Sequence, residues 1–336
     1  MPSAAGLDLG DYRPENPTRQ EGERSMTQAR RAIALVALLS GLAAPAAAQV
    51  ASSIHVVSAA NRDCPPENSC SALLGTSWYS GYDQRFHLAT SNWNPAGAPG
   101  VFYPAPIGAF LNEPVPGGPS YAYLVGPEVE LPYGAAFNLL TVRGGVGAPS
   151  CIYTHSSAED NILANVTFLD VPALNGHPEA FVLVLPFTIP TAITPANVGV
   201  YYDSSRSQWG IFNEDLTAMP ANRWFTVYDN ACDIGFGNRY FFTCSSPELN
   251  RCGMGGLIEN GYPTARLLVT QRWDASAPVY NPHPVGVYYD AGIWKVFNED
   301  LADMPVGAKF NVAVIDVLLD DDFETGDFSA WSTVVP

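Results

Sequence analysis

VGVYYDAGIWKVFNED, residues 285–300, runs on into LADMPVGAKFNVAV. A near-copy, VGVYYDSSRSQWGIFNED at 198–215, runs on into LTAMPANRWFTVYD. A fainter third copy lies upstream, where IGAF at 107–110 leads to ELPYGAAFNLLTV at 130–142. Gly108, Gly199 and Gly286 hold the same place in the three copies, at a spacing of roughly 90 residues, too long for the usual solenoid units of 20–50. The period suits a small domain. The chain therefore reads as three related modules: module one at 50–146, divergent, module two at 149–231 and module three at 238–318.

Within the quoted stretch, VGVYYD and WGIFN carry β-branched and aromatic residues bounded by turn formers, the pattern of strands. The segment between them, DSSRSQ in one copy and DAG in the other, is a hairpin loop of variable length. AFVLVLPFTI at 180–189 is continuously apolar, as a buried strand is. Module two then has about six strands: IYTHSS, VTFLD, AFVLVLPF, VGVYY, WGIFN and WFTVYD. No run with helical periodicity of ten residues or more follows the leader region. The expected fold class is all-β: three tandem small β-sandwich or β-barrel modules of about six strands each. Asn213 and Asn298, opening the two NED turns, are expected to cap a short helical turn that Pro220 and Pro305 stop.

The run from Met26, MTQARRAIALVALLSGLAAPAAAQ, has a basic start, an apolar stretch and a small-residue cleavage site at Ala46–Ala48. This is the pattern of a secretory signal peptide, so residues 1–48 read as an upstream extension plus leader, with Met26 the expected start. No later segment is long and apolar enough to span a bilayer. The expected location is secreted, cell-surface or periplasmic. Residues 319–336 read as an acidic C-terminal tail. The net charge of −17 argues against nucleic acid as a partner.

All six cysteines, Cys64, Cys70, Cys151, Cys232, Cys244 and Cys252, follow the leader, and an even number in an exported chain implies disulfides. The favoured pairs are the short loops Cys64–Cys70 and Cys244–Cys252, with Cys151 and Cys232 bracketing module two. Zinc has little support, since there is no CxxC pair and no histidine at ligand spacing.

Two constellations recur and are candidate sites. The acidic one is Asp203, Glu214 and Asp215 in module two and Asp290, Glu299 and Asp300 in module three. A hard cation such as calcium needs six to eight oxygens, and these carboxylates fall at opposite ends of a hairpin, so turn capping is the preferred reading. In module one the matching stretch is LVGPEVELP, which lacks the motif. The aromatic constellation is Tyr201, Tyr202 and Trp209, recurring as Tyr288, Tyr289 and Trp294. Adjacent strand residues face opposite ways, so one tyrosine of each pair is expected outside, where beside a tryptophan it could stack on a sugar. The competing reading puts the indoles in the core. GxSxG, HExxH, Walker and Rossmann patterns are all absent, and the histidines are scattered. The sequence thus points to a non-enzymatic interaction or structural protein, with a glycan or cell-surface component as the partner and no cofactor. A carbohydrate-binding role stands second and a secreted hydrolase third.

The repeated unit resembles an uncharacterised module of secreted bacterial proteins, on the pattern GVYYD, W-x-I/V-FNED and MP-x-G-x-x-FNV carried by Gly199–Asp203, Trp209–Asp215 and Met304–Val312. FETGDFSAWS at 323–332 is similar to a short C-terminal tail of exported Gram-negative proteins. Both resemblances imply export, and neither implies an activity.

Overall fold

The computed structural model describes residues 50–60, 62–63, 71–77, 85–94, 100–112, 120–126, 130–143, 150–188, 196–230, 234 and 236–315. Among them every regular element is a strand. Module one holds β1 (Val50–Val56), β2 (Arg62–Asp63), β3 (Ser71–Ser77), β4 (Arg85–Asn92), β5 (Gly108–Asn112), β6 (Ser120–Val125) and β7 (Ala136–Arg143). Module two holds β8 (Ile152–Ser156), β9 (Ile162–Leu163), β10 (Val166–Leu169), β11 (Val182–Thr188), β12 (Val198–Asp203), β13 (Gln208–Asn213) and β14 (Trp224–Asp229). Module three holds β15 (Phe236–Thr243), β16 (Arg251–Gly253), β17 (Arg266–Arg272), β18 (Val285–Asp290), β19 (Ile293–Asn298) and β20 (Lys309–Ile315). The six strands expected in module two are all present, with the short β9 added.

The all-β expectation holds, but the modules do not keep their sheets to themselves. The three sheets run β1-β7-β4-β18-β19-β16, β8-β14-β11-β5-β6-β3-β2 and β15-β20-β17-β12-β13-β10-β9. Each joins the first, last and middle strands of one module to the hairpin and outer strands of another. The joins are the three parallel pairings, Gly286 with Ser91, Gly199 with Gln271, and Phe187 with Ala109. All other pairings between named strands are antiparallel. The middle strands β4, β11 and β17 also touch one another pairwise, closing the modules into a ring. A lone module would expose two unpaired sheet edges, a costly arrangement that the ring removes. The modules thus share their sheets and one hub core, while modules two and three each keep a further core of their own.

Side chains brace the hub. Asn138 Nδ2 donates to Leu267 O of module three at 3.0 Å, and Asn311 Nδ2 donates to Val182 O of module two at 2.8 Å. Val269 N–H donates to Thr90 Oγ1 at 2.8 Å, and Val184 N–H to Thr270 Oγ1 at 3.0 Å. These four side chains are buried, so losing any one leaves an unsatisfied backbone group costing about 1–3 kcal/mol. The shared seams and hub also explain why β13 and β20 are buried almost throughout instead of alternating. One face meets its own module and the other meets a neighbour.

Cys244 and Cys252 form the expected disulfide, tying β15 to β16. Cys151 is also disulfide-bonded. Cys64, Cys70 and Cys232 lie outside the described residues, as do 1–49 and the tail from 316. No helix among the described residues is long and apolar enough to cross a membrane.

Candidate functional site

The recurrent motifs converge on the seams where modules share a sheet. Gly199 and Gly286 sit at the parallel joins because nothing larger fits. A Cβ on Gly199 would strike the Glu214 carboxylate and lie 2.8 Å from the Phe212 ring. On Gly286 it would strike Glu299 and lie 2.9 Å from Phe297. The glutamates of the NED turns are therefore buried against the glycine strands, 3% and 2% exposed. Each reaches across a seam. Glu214 Oε2 accepts Asn281 N–H of module three at 3.1 Å, and Glu299 Oε2 accepts Tyr103 N–H of module one at 3.0 Å.

Burial pushes the Glu214 carboxyl up to about 8, against the pull of the Asn281 N–H. It pushes Glu299 up to about 7, against hydrogen bonds from Ser91 and Tyr103 and with a further push from the Asp300 charge. Glu299 also lines a hub cavity of about 80 Å³, walled by Thr90, Leu185 and Thr270 from the three modules. Counting two residues on from Val125, the partner of Gly108, module one has Pro127 in sequence, which lies outside the described residues.

The rest of each turn matches the capping reading but is not helical. Asn213 Nδ2 donates to Thr217 O and Asn298 Nδ2 to Ala302 O. Asp215 Oδ1 accepts Thr217 N–H and Asp300 Oδ1 accepts Ala302 N–H. The turn closes with Leu216 and Leu301 at φ of 61° and 64°, a left-handed residue that ends any helix before it starts. Asp203 and Asp290 lie at the far ends of their hairpins. Asp203 holds Ser205 and Arg206 backbone N–H groups, and Asp290 pairs with Lys295 at 2.9 Å. The six acidic candidates are thus not brought together. Among the described residues no group of three or more His, Cys, Asp or Glu is placed to hold a metal.

The aromatic candidates divide. Trp209 and Trp294 are wholly buried in the cores of modules two and three, their indole N–H groups donating to His177 O and Tyr262 O. Neither indole is a platform for a sugar. Tyr202 and Tyr289 pack edge-on against them. Tyr201 and Tyr288 turn instead to the seams and join residues that sequence reasoning missed. Tyr201 contacts Phe212 and Trp273, and Tyr280 contacts both of those in turn, with centroids 5.6–6.0 Å apart. At the next seam Tyr288, Phe297, Trp93 and Phe102 make the same circuit at 5.2–5.7 Å. The backbone places the tryptophans identically: Trp273 N–H donates to Val200 O and Trp93 N–H to Val287 O. The signal was present as a tryptophan just after the middle strand, followed by FYP at 102–104 and YNP at 280–282. The third seam has Ile189 after β11, outside the described residues.

A pocket of about 150 Å³ opens at the first circuit, between Asn165, Val166 and the four rings. A larger, more polar groove of about 570 Å³ lies beside β8 and β10, but its polar groups are largely committed within the chain. Asn161 holds Ser156 O, Ala158 N–H and the Thr167 hydroxyl, Asp170 accepts from Asn175, and Arg206 lies on Phe168.

A family described as "Domain of unknown function (DUF7452)" matches residues 127–229 and again 199–314. Together the matches cover more than half of the chain. The chain belongs to this family. The second DUF7452 match starts at the seam glycine Gly199, so it takes in β12 and β13 with β17, β20 and β15, five successive strands of one shared sheet. The DUF7452 unit thus spans a seam. No curated protein and no solved structure matches the chain.

Proposed function

We propose that this protein is an exported, non-catalytic element for interaction or structure outside the cell. The observation that carries this reading is the use of the recurrent polar motif. Glu214 and Glu299 are turned inward, each holding a backbone N–H of the neighbouring module. The motif closes a ring and presents no pair of carboxylates across a cleft, the arrangement glycoside hydrolysis needs. The leader pattern at Met26–Gln49 supports export.

A second reading, carbohydrate binding, now rests on the seam cluster, where Tyr280 is 38% exposed, and not on Trp209 or Trp294. The test is to incubate the mature protein with cell-envelope fractions and a glycan panel, alongside glycosidase and esterase substrates. Saturable retention on envelope or glycan without turnover supports the proposal. Substrate turnover that co-purifies with the protein and is lost in a point variant overturns it.

A further inference from the structure

We propose that the ring cluster of Tyr201, Phe212, Trp273 and Tyr280 binds a quaternary ammonium headgroup from outside the chain. The proposal rests on the reading of the protein as an interaction element and names a ligand for it.

The argument comes from comparing the two seams. In the cluster of Tyr288, Phe297, Trp93 and Phe102 the protein supplies its own cation. Lys295 stands opposite Tyr288 in the β18–β19 register, and its Nζ lies 5.7 Å from the Tyr288 ring centroid. A cation at that distance is attracted by the negative face of the ring. The ammonium is also held by Asp290 at 2.9 Å and Glu248 at 4.0 Å. In module two the residue opposite Tyr201 is Gly210, so the equivalent rings have no ammonium from their own hairpin. They stand slightly wider apart, and the pocket of about 150 Å³ opens beside them. Arg206, whose charge acts on Tyr201, is engaged by Asp203 at 3.8 Å and by the Phe168 ring at 4.6 Å.

The surroundings select the cation type. A primary ammonium brings three N–H donors that need acceptors. Lys295 finds them in two carboxylates, but here Asp203 already holds Ser205 and Arg206. Asn165, which lines the pocket with the two phenols and the Trp273 indole, donates its amide to Asn213 O at 3.2 Å. A quaternary ammonium needs no hydrogen bonds and gains most from aromatic faces.

The experiment titrates the mature protein with choline chloride against equal sodium chloride, reading tryptophan fluorescence and calorimetry. Saturable binding is expected, at least about tenfold weaker for the neutral isostere 3,3-dimethylbutan-1-ol. Tyr280→Ala should weaken choline binding about tenfold or more in a protein that still unfolds cooperatively. Gly210→Lys should abolish it by placing an ammonium there from within. A Cβ on Gly210 meets Val166 at 2.7 Å, so this variant can fail to fold, and the exposed Tyr280→Ala then carries the test. Phosphatidylcholine against phosphatidylglycerol vesicles separates a lipid headgroup from a free small molecule. Absence of any saturable response to choline or to phosphatidylcholine, or equal binding of the neutral isostere, overturns the proposal. So does glycan binding lost in Tyr280→Ala and not displaced by choline. Envelope retention that survives Tyr280→Ala, with no choline response, sinks this inference while leaving the broader function standing.

Discussion

Replacing Glu214 with Gln should leave the protein close to wild type in acid and make it more stable in mild alkali. Glu214 holds its proton in the folded state up to about 8, against 4.5 as the ordinary value. Between those values the folded protein binds a proton that the unfolded chain releases. Its contribution is therefore fully present below about pH 4.5 and is lost as pH rises to about 8. At about 1.4 kcal/mol per pH unit, the full change is on the order of 5 kcal/mol. Glu299, raised to about 7, adds a change of the same sign, on the order of 3 kcal/mol. His155 opposes them, because burial lowers its imidazole to about 4 and so adds stability as pH rises towards 6.5. The raw pH profile mixes these, but the difference between wild type and Glu214→Gln isolates the carboxyl. Urea unfolding of both proteins, disulfides intact, from pH 5 to pH 9 measures it. The difference should grow by several kcal/mol in favour of the glutamine variant as pH rises. A flat difference, or a variant that is the weaker protein at pH 9, would refute the claim that Glu214 is buried without a compensating charge.

Trp294→Ala should cost about 3–5 kcal/mol and lower one cooperative calorimetric transition of the whole ring; two separate transitions would contradict the shared sheets. Gly286→Ala should destabilise by about 1–3 kcal/mol through the clash with Glu299 and Phe297, read as a lower melting temperature. Removing the Cys244–Cys252 bridge, whose loop is short, should cost no more than about 2–4 kcal/mol, read by urea unfolding of the Cys244→Ser, Cys252→Ser protein. Millimolar calcium should not shift the melting temperature, because Asp203 and Glu214 stand at opposite ends of one hairpin; a rise abolished by Glu214→Gln with Asp215→Asn would overturn that.

The aromatic and acidic motifs were legible as motifs, but their roles were not. A tyrosine pair on a strand shows that two faces are used. It does not show that the Tyr201 face meets Trp273, which is 72 residues further along the chain. The NED turn gave its cap correctly in Asn213 and Asp215, whose partners lie within five residues. Its glutamate reads as part of the same capped turn because its partner, Asn281, belongs to another module. Trp93 and Trp273 each open a recurring stretch, WNPAGAP and WDASAP, but nothing in it shows that the ring meets the hairpin of another module.

The sequence by itself determined the repeat, the all-β class and the hairpin of VGVYYD with WGIFN, and it favoured the Cys244–Cys252 bridge. These depend on residues close along the chain, where turn chemistry and alternation act directly. Only the tertiary structure decided that Gly199 pairs with Gln271 and Gly286 with Ser91, and so that three modules share three sheets. An unpaired strand edge offers the same row of N–H and C=O groups to any partner. Which edge closes on which is settled by what fits at the join: a missing side chain at glycine, a buried glutamate behind it, and a neighbour's backbone N–H that donates to it.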